Sequence, residues 1–179
     1  MIYTIEKEIR NAVLICGGDM KAKFYYRNEN APKPNRPNHI GTSVIIEYNG
    51  EILLEHRVDS DTWSVIGGGL NVDETLVQGA IREVYEETGL KLKEEDLSLY
   101  QIYDDPSRIA HYPDGNILRV ITVVYRVAMK EKPQLTCSTE SKELKFFLKD
   151  ELEKLPIAKT HIPIIADFMN EDKVREEMN

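Results

Sequence analysis

Apolar and polar positions follow two different periods along this chain, and the changes between them mark its elements. TSVIIEY and EILLEHR flank Asn49-Gly50, and an Asn-Gly pair between two β-branched, apolar runs is a strong hairpin signal. Residues 62–66 (TWSVI) predict a third short strand with Trp63 in the core, running into Gly67, Gly68 and Gly69. The period then becomes helical: Val77, Ile81 and Val84 predict a buried stripe on a helix that stops at Gly89. Asn71 with Glu74 three residues on has the form of a capping box at its start. Leu97 to Tyr103 reads as a strand, DDPSRIAHYPDGN as a polar loop, and LKFFLKD as a last strand. Ile117 to Met129 is almost continuously apolar, as a central strand buried on both faces would be, and His161 to Met169 reads as a terminal amphipathic helix.

Toward the N-terminus, NAVLIC at 11–16 and KAKFYYR at 21–27 flank a Gly17-Gly18-Asp19-Met20 turn and predict another hairpin. Pro32, Pro34 and Pro37 follow in a segment that can be neither helix nor central strand. The chain thus divides into an accessory hairpin with a Pro-rich linker at 1–38 and a main domain at 39–179. A two-stranded hairpin is marginal alone in water, so its apolar sides must be covered by the main domain or by a second copy, which makes a homodimer one solution. Strands, hairpins and helices mixed in this order predict an α/β fold, an α/β/α sandwich on a mixed sheet.

Charge narrows the partners. A net charge of −8 argues against nonspecific binding to nucleic acid or to an anionic membrane, both of which require dense Lys and Arg. It leaves room for a small phosphate ligand, because a bound cation inverts the local charge. Cys16 and Cys137 are too remote for a metal or disulfide framework. The opening MIYTIEKEIR carries charges where a signal peptide needs an apolar core, so a cytoplasmic location is expected.

The chemistry concentrates at the end of the central helix. Arg82, Glu83, Glu86 and Glu87 fall together just before Gly89. At i, i+3 and i+4 the three glutamates share one helix face, where they repel one another at the negative end of the helix dipole. One arginine cannot neutralise three carboxylates. A hard divalent cation with a preference for oxygen ligands is the natural complement.

The stretch Gly68 to Leu90 resembles the signature of the Nudix hydrolases, G-x5-E-x7-R-E-U-x-E-E-x-G-U with U aliphatic. Gly68, Glu74, Arg82, Glu83, Val84, Glu86, Glu87, Gly89 and Leu90 fill every specified position. The resemblance implies a Nudix-type sandwich and a pyrophosphohydrolase that cuts a nucleoside diphosphate linked to another group. It implies Mg²⁺, with Mn²⁺ as a substitute, held by Glu83, Glu86, Glu87 and the carbonyl of Gly67. Arg82 is implied to orient one of the glutamates, while Glu74 divides between a cap and a support for the metal site. Ile66 stands where many relatives have proline. A non-catalytic nucleotide-sensing domain of the same fold is the alternative, although such domains typically lose box glutamates and no DNA-binding helix pair is evident here.

The general base is implied either in the box or on the loop before the last strand, where Glu140 is the first candidate and Glu143 the second. Arg57, at the end of LLEHR, is a candidate for phosphate binding. His111, Tyr112 and Asp114 lie in a loop that could border the substrate, although YPDG is first a turn sequence. His39, His56 and His161 have no metal-ligand spacing.

Overall fold

A computed structural model describes residues 21–177, with side chains through 171. The strands are β1 (Lys23–Tyr25), β2 (His39–Tyr48), β3 (Glu51–Arg57), β4 (Trp63–Gly69), β5 (Ser98–Tyr103), β6 (Ile109–His111), β7 (Ile117–Ala128) and β8 (Ser141–Leu148). The helices are α1 (Leu76–Thr88), α2 (Lys149–Leu152) and α3 (Ile162–Glu177). The sheet runs β1-β6-β7-β2-β4-β3-β8, with β5 also paired to β7. The β2–β7 pairing is parallel and the other ladders are antiparallel, so the sheet is mixed.

Alternation along the strands gives the sheet two apolar faces. Val44, Ile46, Leu53 and Ile66 pack against Ala80, Val84 and Leu90 at α1. Ile45, Ile52, Leu54 and Val65 point the other way, onto Ile164, Ile165 and Phe168 of α3. The expected α/β/α sandwich is the observed one. Trp63 lies in the second cluster, stacked on His56 and edge-on to Phe147.

Several local expectations need correction. The helix begins at Leu76, capped by Thr75, whose hydroxyl accepts from Gln78 N–H while the Gln78 side chain accepts from Thr75 N–H. Asn71 N–H does donate to Glu74, at 2.7 Å, but this closes a loop turn ahead of the helix. Gly89 ends α1 as expected, at φ +75°. The buried face of α1 is Gly79, Ala80, Val84, Glu87 and Thr88, with Val77 and Ile81 only half-buried. One glutamate of the acidic set therefore turns inward toward the sheet. The expected polar loop at 104–116 contains β6, whose three residues are too few to give a periodic signal.

The first strand of the expected N-terminal hairpin, 11–16, lies outside the described residues. The second contributes β1, which pairs antiparallel with β6. Ala22 N–H also bonds to Asp59 O, and Asn35 of the linker bonds to Ile117 and Gly115. Deleting residues 1–37 is therefore expected to bare the β6 edge and lower solubility, measurable by light scattering, while Mg²⁺ binding persists. A soluble truncated protein that has lost Mg²⁺ binding would contradict this.

A buried arginine locks the sheet to the α3 side. Arg108 has no exposed surface and donates to Thr160 O, Tyr103 O and Thr122 Oγ1, and burial lowers its pKa to about 10. His161, next to that turn, accepts Val65 N–H at Nδ1, and burial pushes its pKa down to about 3. Among the described residues no helix is long and apolar enough to cross a membrane.

Candidate active site

Three neighbouring segments build the site: the end of β4, the loop that follows it, and the last turns of α1. Gly67 has φ +147°, and a Cβ there would lie 2.2 Å from Thr42 O, so only glycine fits. Its neighbour Gly68 faces α1, where a Cβ would come within 2.6 Å of the Glu83 carboxyl carbon. The bare Gly68 lets the Glu83 carboxylate approach the strand backbone, while Gly67 is bared by the close pass of β2.

Arg82 is the hub. Its Nε and Nη2 grip the two oxygens of Glu74 at 2.9 and 2.6 Å, and Nη2 also donates to Gly69 O at 2.9 Å. Its Nη1 donates to Glu83 at 2.7 Å and to Glu86 at 3.2 Å. The planar guanidinium fork suits such multiple pairing. Its hydrogen bonds hold the Glu74 carboxyl down at about 2. Glu74 is thus primarily the anchor of Arg82, rather than the helix cap that local spacing suggested.

The remaining carboxylates carry the excess charge. Glu87 is only 6% exposed and accepts Gly67 N–H at 2.9 Å. Burial, then the neighbouring charges of Glu55 and Glu83, push its pKa well above the ordinary value. Glu83 is pushed up as well, by burial first; Arg82 opposes this, while Glu86 and Glu140 reinforce it. Such a cluster is costly for the fold by itself.

Among the described residues no three His, Cys, Asp or Glu side chains already stand in a ligating array. Arg82 accounts for this, because it draws Glu83 and Glu86 onto one nitrogen while Glu87 bonds to Gly67. Glu86, with its side chain 41% exposed, has room to turn away. The donor set is entirely oxygen and over-charged, and Gly68 leaves space beside Glu83. The residues fit a hard divalent cation.

Glu140 follows the segment 130–139 and precedes β8. Its backbone carbonyl accepts Val58 N–H at 3.0 Å, its side chain is exposed, and its charge reaches Glu83. Glu143 lies within β8 opposite His56, and its charge bears on Cys137 instead. Arg57 is tied by Asp59 at 2.8 and 2.6 Å and by Glu55 at 3.1 Å, with its guanidinium 5.8 Å from the centre of the Phe24 ring. Phe24 meets Tyr112 edge-on at 6.4 Å. The structure therefore brings Arg57, Tyr112 and Phe24 together. His111 is part of β6, opposite Lys23 and Ile117, and Asp114 caps its own turn through Asn116 N–H.

Sequence reasoning missed Glu55, a carboxylate 1% exposed in β3 that accepts from Arg57, Ser64 and Ser141. The available signal was a charged residue two positions after Leu53, on the same inward face of β3.

Sequence comparison decides the family. The NUDIX domain profile matches residues 37–168. The chain belongs to the Nudix hydrolase family. Within it, an ADP-ribose pyrophosphatase of Methanocaldococcus jannaschii is 31% identical over 133 residues, covering 73% of this chain and 72% of that protein. A MutT-like protein of Streptomyces ambofaciens is 40% identical over 55 residues, covering 31% of this chain and only 36% of the relative. Among solved structures, a bifunctional NMN adenylyltransferase/ADP ribose pyrophosphatase of Francisella tularensis, complexed with AMP and a Mn ion, aligns with a TM-score of 0.63 at 25% identity. That alignment covers 79% of this chain and 43% of the other. The Nudix box thus coincides with the Arg82-centred carboxylate array.

Proposed function

We propose that this Nudix protein hydrolyses the pyrophosphate linkage of a nucleoside diphosphate joined to a further group, using Mg²⁺, with ADP-ribose the first member of that class to test. The observation that carries the reading is the over-charged carboxylate array in which Arg82 gathers Glu83 and Glu86 while Gly67 N–H of β4 holds Glu87. The 31% identity to an ADP-ribose pyrophosphatase over most of both chains supports the substrate class, and the Mn ion in the Francisella structure supports a divalent cation.

Glu83, Glu86 and Glu87, with the carbonyl of Gly67, would hold the cation. When bound, it supplies neutralisation of the phosphate oxygens and acidification of water. Arg82 keeps Glu83 and Glu86 aimed at one place, and Glu74 keeps Arg82 there. The Glu140 carboxylate takes a proton from the water that attacks phosphorus. The bond from that phosphorus to the bridging oxygen breaks, and the bridging oxygen leaves with the bonding pair on the second phosphate. Phe24 and Tyr112 offer aromatic surface for a base, beside Arg57 at the phosphate end.

The test is a panel of ADP-ribose, nucleoside triphosphates and dinucleoside polyphosphates, with Mg²⁺ or EDTA, read by product chromatography. Mg²⁺-dependent cleavage of at least one is expected. Binding without cleavage by any would replace the enzyme with a nucleotide-sensing domain. For the substrate cleaved fastest, Glu140→Gln is expected to slow turnover by about 10²-fold, the lower range of general-base catalysis. The Mg²⁺ concentration needed for half-maximal rate should change little. Unchanged kinetics would move the base into the box or to Glu143.

A further inference from the structure

We infer that Glu55 is a positioning residue for the reaction, acting through Ser141 to hold the loop that carries Glu140 against the box helix. The inference rests on the reading of Glu140 given above. Glu55 is nearly sealed from solvent, yet it sits on the sheet face that bears α1, two residues along β3 from Leu53 of the α1-side core. Its Oε1 accepts from Ser64 Oγ of β4 at 2.9 Å and from Arg57 Nη1 at 3.1 Å. Its Oε2 accepts from Ser141 Oγ, the first residue of β8, at 2.7 Å. One carboxylate thus joins three strands, and the Ser141 branch ends one residue from Glu140.

The backbone is arranged to make this link. β3 and β8 pair in regular antiparallel register from Glu51↔Leu148 to His56↔Glu143, and then the register shifts so that Arg57 faces Ser141. Lys142 is the extra residue. Directly opposed residues in an antiparallel pair point to the same face. Without the shift, Lys142 would stand opposite Arg57 and Ser141 would point to the α3 side. The bulge re-aims Ser141 onto Glu55, as bulges near functional sites do, and Lys142 instead pairs with Asp61. Two further ties hold the same stretch: Val58 N–H donates to Glu140 O at 3.0 Å, and Cys137 Sγ contacts Ser141 O at 3.2 Å.

The carboxylate is needed for its two oxygens. An amide at position 55 offers one acceptor where Ser141 and the Ser64–Arg57 pair need two on opposite ends. An apolar side chain offers none and leaves two buried hydroxyls without partners. Glu55 makes no direct hydrogen bond to the box carboxylates. Its charge does bear on Glu87, so the loop route is isolated by removing the Ser141 hydroxyl, which leaves that charge in place.

The deciding experiment is a kinetic double-mutant cycle on the full chain, with Mg²⁺ and the nucleotide that the panel shows to be cleaved fastest. Ser141→Ala and Glu55→Gln are each expected to lower kcat by about tenfold with KM within about twofold of the parent, the signature of an interaction lost in the transition state. In a Glu140→Gln background, adding Ser141→Ala should change kcat by less than about twofold, since residues acting as one unit are non-additive. Ser141→Ala removes a single hydroxyl and leaves every charge in place, so it carries the test if Glu55→Gln does not fold. The inference is overturned if Ser141→Ala keeps the parental kcat, or if its loss multiplies fully with that of Glu140→Gln. A Glu140→Gln protein with parental turnover overturns the assignment of the base as well. A slow Glu140→Gln protein with independent effects overturns the role of Glu55 alone.

Discussion

Glu87→Gln is expected to cut Mg²⁺-dependent turnover by at least about 10³-fold, the upper range for loss of one electrostatic catalytic element, while the metal-free fold becomes no less stable. The amide oxygen can still accept Gly67 N–H, which Glu87 accepts at 2.9 Å. What disappears is a buried charge facing Glu55 and Glu83. Because the folded pKa of Glu87 is raised, the folded state holds the proton more tightly than the unfolded chain does. That contribution to stability is present below the ordinary carboxylate value of about 4.3, and it is lost as pH rises through the folded value. Glutamine is neutral throughout and escapes the loss. Melting curves in EDTA at neutral pH should therefore place the variant level with or above the parent, while product release with Mg²⁺ is nearly abolished. Parental turnover in this variant would remove the basis for assigning the site.

The opposite pattern is expected for Arg82→Lys, which should lose stability and activity together. A single ammonium cannot grip both oxygens of Glu74 and still reach Glu83, Glu86 and Gly69 O, contacts that Arg82 makes at 2.6 to 3.2 Å. The arginine and Glu74 side chains are only 21% and 13% exposed. Breaking such a pair is expected to cost about 2–3 kcal/mol, somewhat below the range for fully buried pairs. Turnover should fall about 10²-fold through misdirected carboxylates. Acid titration separates this from a general packing defect. Arg82 holds Glu74 at about 2 against an ordinary 4.5, so the stability from this pair is present above pH 4.5 and lost as pH falls toward 2. The parent should show that acid-dependent loss between pH 4.5 and 2, and the lysine variant much less of it. Parental melting and turnover in Arg82→Lys would show that the hub is dispensable.

The box helix was legible because its information is local. Six specified box positions sit within α1 and its cap residue, and helical spacing alone gathers Arg82, Glu83, Glu86 and Glu87. The inward turn of Glu87 was not legible. It depends on the hydrogen bond that Gly67 N–H of β4 donates to Glu87, a contact between elements. The helix start was misplaced because Asn71-Glu74 and Thr75-Gln78 both have capping spacing, and only the fold shows that Glu74 is taken by Arg82. β6 escaped notice because three residues carry no period, and its pairing with β1 joins segments such as Lys23 and His111 that no local pattern connects. Glu55 was visible as a charge in step with Leu53 on β3, but its partner Ser141 faces it only because of a bulge.

The parallel pairing of β2 with β7 has a consequence for synthesis. It runs from His39↔Val120 to Glu47↔Ala128, so β2 must wait for a partner roughly eighty residues further along the chain. At about 5–20 residues per second on a ribosome, that interval lasts several seconds or more. Through it, β2 can pair on one side with β4, while its other edge presents unpaired amides and carbonyls to any strand nearby. β3, β4 and α1 have all been translated by then, and Glu140 comes only after β7. A nascent chain halted before β7 would thus carry a whole Nudix box on an open sheet, with the acidic face in place and the residue proposed to deprotonate water still untranslated.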